Sequence, residues 1–293
     1  MNVLRTSDER FAGLPGWPYA PQYLQVDGLR MHYVDEGPRD AAVTALCLHG
    51  QPSWSYLYRK MIPVFAAADV RVVAPDWFGF GRSDKPEDDA WYTFDRHRDS
   101  MLRFVEQMDL RNVMLVVQDW GGLLGLTLPL QQAERYSRLL VMNTGLGTGT
   151  VTEGFKQWRA YANSQPDMAI GKLFQRGNPG MTAEEAAAYD APFPDVRYKA
   201  GVRRFPNLVP DSEDAPGAEL SRQAARFWSE RWQGDSFMAI GMQDPVLGPP
   251  AMQSLRKLIR GCPEPLEVAD GGHFVQERGG PVAEAALRHF GLR

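Results

Sequence analysis

Residues 113–125 read Val-Met-Leu-Val-Val-Gln-Asp-Trp-Gly-Gly-Leu-Leu-Gly. An apolar β-branched run ends at Gln118 and Asp119, and Trp120, Gly121 and Gly122 open a helical stretch. This is the spacing of a strand–turn–helix nucleophile elbow, with aspartate in the place that usually holds serine. The small residues let the chain turn sharply and hold the side chain up for attack. An ionised carboxylate needs no base before it attacks, so it can displace a leaving group from saturated carbon and form an ester on the protein. The indole of Trp120 is a donor with no acceptor capacity, which suits a departing halide. Asp119 could also serve merely as a helix N-cap, but Trp-Gly-Gly directly behind it favours the elbow.

Two further segments carry chemistry at the ends of strand candidates. Asp244 follows Phe237-Met238-Ala239-Ile240-Gly241, and His273 lies in Gly271-Gly272-His273-Phe274 after Leu266–Val268. In open α/β sheets, ligands bind at such strand ends. The order nucleophile, acid, histidine is that of a hydrolase triad. The histidine would act as the base for water, and the acid would fix its tautomer and stabilise the imidazolium. Asp235 precedes its strand and Asp270 is too near His273 in sequence, so Asp244 is the expected acid. His49-Gly50-Gln51-Pro52 also ends a strand. It is placed like an oxyanion loop, whose donors would be the backbone N–H groups of Gln51 and Trp120. His49 is expected to shape that loop; His32, His97 and His289 fall in ordinary strand or helix contexts.

The elements that must position these residues alternate. Strand candidates are Tyr23–Val26, Met31–Val34, Leu46–Leu48, Arg71–Pro75, Val113–Val117, Leu139–Met142, Ser236–Gly241 and Leu266–Val268. Helical stretches are expected at Trp54–Ala67, Phe94–Met108, from the elbow to about Ala133, near Pro250–Ile259 and at Pro281–Phe290. Strands alternating with helices at these lengths predict an α/β protein with a mostly parallel, doubly wound sheet. Between about Gly145 and Ala225 the pattern changes to helical patches broken by Pro and Gly, at Phe155–Ala162, Thr182–Tyr189 and Lys199–Arg204. The expected organisation is a core at 1–144, a helical insertion at 145–225 and the rest of the core at 226–293.

Composition narrows the possibilities. The chain has 293 residues, 44% hydrophobic and 23% charged, with a net charge of −4. That size allows one large domain with an insertion. The charge leaves no basic footprint for nucleic acid. No apolar run would span a bilayer, and Met1 to Arg10 carries no apolar signal segment. Cys47 and Cys262 are the two cysteines; nothing demands a disulfide, and no Cys/His cluster has metal-ligand spacing. The expectation is a cytoplasmic protein without metal or organic cofactor. Its oligomeric state cannot be read from the sequence.

With these residues assembled, the chain resembles the haloalkane dehalogenases, a branch of the α/β-hydrolase superfamily. The similarity rests on the segments beginning His49-Gly50-Gln51-Pro52, Asp76-Trp77-Phe78-Gly79, Val117-Gln118-Asp119-Trp120, Ala191-Pro192-Phe193-Pro194 and Gly271-Gly272-His273-Phe274, and on Phe237-Met238-Ala239-Ile240-Gly241-Met242-Gln243-Asp244. They span nearly the whole chain. It looks most like the subfamily typified by the 1,2-dichloroethane-degrading enzyme of Xanthobacter.

The resemblance implies an α/β-hydrolase fold with a helical cap inserted after the sixth strand, nucleophile Asp119, base His273 and acid Asp244. In another subfamily the acid follows the strand before the cap; here Met142-Asn143-Thr144 offers no carboxylate. The implied halide donors are Trp120 and a cap tryptophan, for which Trp158 is the candidate. Implied pocket positions are Leu123, Phe155, Phe205, Pro206, Val209, Val246 and Leu247, all apolar, as a small halogenated aliphatic substrate requires. The match is weaker over 163–179. Close relatives often carry Glu where this chain has Gln51, and other subfamilies carry Asn there as a halide donor. The Gln51 side chain is expected to position water, with halide donation as the alternative. The nearest rival function is epoxide hydrolysis, for which Tyr161, Tyr189 or Tyr198 would have to protonate the epoxide oxygen. A non-catalytic receptor or a serine esterase fits less well, given an intact triad and no elbow serine.

Overall fold

The structure, a computed structural model, describes residues 2–293. Eight strands form its main sheet: β1 (Gln22–Val26), β2 (Leu29–Glu36), β3 (Thr44–Leu48), β4 (Arg71–Pro75), β5 (Val113–Gln118), β6 (Tyr136–Met142), β7 (Asp235–Gly241) and β8 (Leu266–Val268). Their order across the sheet is β8-β7-β6-β5-β3-β4-β2-β1. β1 and β2 pair antiparallel, as do β2 and β4, and the remaining pairs are parallel. The apolar runs of β3 and β5 are buried along their full length, as strands covered on both faces should be. Outside this sheet, Val3–Leu4 pairs with Lys85–Pro86.

The helices before the insertion include α1 (Ile62–Ala66), α2 (Phe94–Gln107) and α3 (Trp120–Gly125). α2 starts where Thr93 accepts from the Arg96 N–H at 3.2 Å, relieving an orphan donor. Two expected long helices are broken. Trp54–Ala67 resolves into a short 3-10 turn at Ser55–Tyr58 followed by α1, with Pro63 in its first turn. The stretch after the elbow stops at Gly125 and restarts as α4 (Pro129–Gln132), because proline can open a helix but cannot continue one.

The insertion after the sixth strand contains α5 (Glu153–Ser164), α6 (Ile170–Gly177), α7 (Ala183–Asp190) and α8 (Ala200–Arg204). α6 has glycine at its second position and at its end, which hid it in the sequence. It buries Ile170 and Phe174, so packing overrides a weak intrinsic preference. α9 (Ala218–Arg226) runs on into a π-helical turn at Phe227–Arg231. This helix crosses the expected junction between 225 and 226, and its Trp228 indole donates to the Leu126 carbonyl at 2.8 Å. α10 (Pro249–Leu258) and α11 (Gly279–His289) complete the core. Among the described residues no helix is long and apolar enough to cross a membrane.

The insertion is fastened to the loop that carries His273. The Arg59 guanidinium binds Glu277 at 2.7 and 2.8 Å and Glu185 of α7 at 2.9 Å. Arg59 and Glu277 are each 2% exposed, so removing either would leave the other buried charge with only a more exposed partner, Glu185 for Arg59 or Lys60 for Glu277. Beside them the Phe174 ring stacks between Tyr189 at 3.6 Å and Phe274 at 3.9 Å.

Candidate active site

Sheet register brings the site together. Leu48 lies opposite Val117, Gln118 opposite Met142, and Gly241 opposite Val268. The residues that follow these positions therefore converge at the carboxyl edge of the parallel strands. Asp119 turns the chain from β5 into α3 with φ 50° and ψ −124°, a backbone that costs of order 1–3 kcal/mol in a non-glycine residue. The turn is held in place by the Asp119 N–H donating to the Asn143 carbonyl at 3.0 Å and by the Thr144 hydroxyl donating to the Asp119 carbonyl at 2.7 Å. Gly121 is required because a Cβ there would lie 1.9 Å from the Leu48 carbonyl oxygen.

The Asp119 carboxylate accepts from the Gln51 backbone N–H at 2.7 Å. Trp120 occupies the first helical position, whose N–H has no intrahelical acceptor. His49 does shape the loop: Nδ1 donates to the Gly50 carbonyl at 2.9 Å, and Nε2 accepts from the Trp77 N–H at 3.1 Å. Gly50 presses against the carboxylate, and a Cβ there would be 2.4 Å from Asp119 Oδ1. Gly50→Ala is therefore expected to slow the first chemical step by about a hundredfold, the cost of a displacement near 1 Å. Single-turnover halide release is the measurement, and a rate near wild type would show that the carboxylate needs no such clearance.

His273 faces two carboxylates. Its Nδ1 donates to Asp244 Oδ2 at 2.8 Å, and Nε2 lies 3.5 Å from Asp119 Oδ2. Burial opposes charge on the ring, but Asp244 and Asp119 outweigh it and push the imidazole up to about 10. Asp244 is fully enclosed. Burial works against its ionised form, yet His273, the Asn143 amide at 2.9 Å and the Val246 N–H at 2.8 Å hold it below its ordinary value. The rival carboxylates lie elsewhere: Asp235 begins β7 exposed, and Asp270 pairs with Arg278 at 2.7 Å.

Two cavities meet at Asp119. One, of about 480 Å³, is bordered by Trp120, Leu123, Val209 and Leu247. The other, of about 410 Å³, is bordered by Gln51, Trp158, Asp244, Val246 and His273. Phe155 borders both. The two tryptophans thus border different cavities. Trp54, Trp77, Trp228 and Trp232 donate their indole N–H to protein oxygens, whereas those of Trp17, Trp91, Trp120 and Trp158 have no protein acceptor among the described residues; of these four, Trp120 and Trp158 border the cavities at Asp119. Phe205 and Pro206, expected in the lining, border neither cavity. Phe205 is buried behind the Trp120 ring at 4.6 Å, against His97 at 4.7 Å and Phe80 at 4.8 Å, so it supports the indole.

The Gln51 side chain donates to the Val202 carbonyl in α8 at 3.0 Å. Tyr161, Tyr189 and Tyr198 border neither cavity, and the Tyr189 hydroxyl is engaged with Glu277. Asn143 and Gln118 were missed as site residues. Asn143 immediately follows β6, so its position at a strand end was the available signal. Leu173, Arg176 and Pro179 border the smaller cavity from α6 and the loop after it, within the stretch where the sequence likeness was weakest.

The sheet, the elbow and the convergent acid and histidine define an α/β hydrolase, and the α/β-hydrolase fold family matches residues 46–279. The chain is 43% identical to a haloalkane dehalogenase of Psychrobacter cryohalolentis, covering 99% of this chain and 98% of the relative. It is 42% identical to one of Mycobacterium marinum over 96% and 97%. In solved structures it matches the tetrameric haloalkane dehalogenase DpaA of Paraglaciecola agarilytica at 49% identity and a TM-score of 0.97, covering 99% of both chains. The chain belongs to the haloalkane dehalogenases, hydrolases of carbon–halide bonds.

Proposed function

We propose that Asp119 attacks the halogen-bearing carbon of a small haloalkane, that Trp120 and Trp158 donate to the departing halide, and that His273 and Asp244 drive hydrolysis of the resulting ester. The observation that carries this reading is the Asp119 carboxylate standing 3.5 Å from His273 Nε2 while Asp244 binds Nδ1 at 2.8 Å. Alkylation turns Asp119 into a neutral ester. One of the two carboxylates that raise His273 is then gone, so the ring gives up its proton more readily and becomes a base. It takes a proton from water as the water oxygen attacks the ester carbonyl carbon. The Gln51 and Trp120 N–H groups stabilise the oxyanion. Collapse regenerates the carboxylate and frees the alcohol; halide and one proton complete the products.

The Gln51 side chain positions the hydrolytic water. Support comes from Gln51 bordering, with His273 and Trp158, the cavity that holds the base, and from the anchorage of its amide to the Val202 carbonyl. Leu123, Val209, Val246, Leu247 and Phe155 give the substrate apolar walls. The insertion acts as the cap, and its second junction falls nearer Gly217, because the helix beyond packs on the core. A cytoplasmic location is supported by two free thiols, Cys47 and Cys262.

Halide release from a panel of bromo- and chloroalkanes, with styrene oxide as comparator, tests the reaction class. Turnover of the epoxide alone would overturn it. Trp158→Phe is expected to weaken chloride and bromide binding by about tenfold, the loss of one hydrogen bond to a charged group. The aromatic body remains, so the melting temperature should stay near that of the parent. Halide quenching of tryptophan fluorescence reads the affinity; unchanged affinity would reassign Trp158 to cap packing.

A further inference from the structure

Gln118 ends β5 one position before the nucleophile and is fully buried. Its amide nitrogen lies 3.0 Å from the His273 carbonyl oxygen and 3.1 Å from His273 Nε2. A primary amide carries two hydrogens on nitrogen and none on oxygen. One is therefore directed at the carbonyl and the other at the ring. The reversed amide would set oxygen against oxygen; as placed, Oε1 faces Gln276 Nε2 at 3.5 Å. Nδ1 is already committed to Asp244. A neutral imidazole with its proton on Nδ1 offers a lone pair at Nε2, which the amide N–H can fill. An imidazolium would instead set an N–H against that N–H.

We infer that Gln118 is a positioning residue: its amide grips His273 by the carbonyl and by Nε2, favours the neutral tautomer that deprotonates water, and thereby sets the pH at which ester hydrolysis begins. This inference rests on the role of His273 proposed above. The charged groups around the ring are Asp119 at the elbow and Asp244 after β7, with Arg176 of α6 bordering the same cavity. Glu277, next along the loop, is taken up by Arg59 and Lys60. The two carboxylates favour the charged ring and Gln118 opposes them. Once Asp119 is esterified, the balance lies between Asp244 and Gln118. During hydrolysis the water proton takes the place of the amide hydrogen at Nε2, while the second amide hydrogen keeps the loop in register.

Gln118→Met keeps side-chain length and removes both donors. Its loss should favour the protonated ring, so less base is present at a given pH. Rapid-quench kinetics with a bromoalkane across pH separate the steps. The expected result is an alkylation rate little changed and an acid limb of ester hydrolysis moved upward by about one pH unit, or about tenfold slower hydrolysis below the limb. Gln118→Glu, which places an acceptor at Nε2, should move the limb further in the same direction and provides a second reading if the methionine variant folds poorly. An unmoved limb in a folded variant, with both steps slowed alike or neither slowed, would overturn the inference. His273→Phe distinguishes that failure from failure of the underlying mechanism. If it still accumulates the ester while the limb stays fixed, only the role of Gln118 falls.

Discussion

Asp119→Ala is expected to release no halide above background, a loss of roughly a millionfold or beyond detection, as for removal of other covalent nucleophiles. The variant should fold. The backbone at 119 is held by the Asn143 carbonyl and the Thr144 hydroxyl, and neither contact uses the side chain that is removed. Halide affinity should survive, because the two indoles are untouched. The comparison is therefore between chemistry and binding in one protein: fluorescence quenching by bromide persists while single-turnover bromide release vanishes. Release at the wild-type amplitude from the folded variant would remove Asp119 from the mechanism.

His273→Phe should separate the two chemical steps. Alkylation needs only the carboxylate and the halide donors, so bromide should appear in a burst of about one equivalent per site. Ester hydrolysis needs the base and should slow by about 10²–10⁴-fold, the usual contribution of a positioned general base. Mass spectrometry should find the alkyl group on the peptide containing Asp119. Asp244 would not be left as an orphan charge, since Asn143 and the Val246 N–H still donate to it. An unmodified protein, or an adduct on another peptide, would contradict the assignment of His273 to the second step.

Much of the core was legible because its signals are local. β4 and β8 run over the residues expected, and the elbow is contiguous in sequence, so burial of the run and the turn at Asp119 could be read together. The order of Asp119, Asp244 and His273 was readable from where strands end. Gln118 and Asn143 were not, because their partners lie 155 and 101 residues away, and no spacing rule announces such a contact. Side chains over the site depend on packing of the insertion. Phe205 was expected to face the substrate but stands behind Trp120, since its orientation is fixed by the ring cluster it shares with Phe80 and His97. α6 was invisible for a related reason: it exists because Phe174 has Tyr189 and Phe274 to stack on.

The central claim is that the oxygen of the product alcohol comes from the Asp119 carboxylate, with water entering only at the ester carbonyl. A single turnover in heavy-oxygen water tests it directly. With enzyme in excess over a bromoalkane, the alcohol should carry ordinary oxygen and the heavy isotope should appear in the peptide containing Asp119. Label in the alcohol, with an unlabelled Asp119 peptide, would mean that water attacks the substrate carbon itself and would contradict the account.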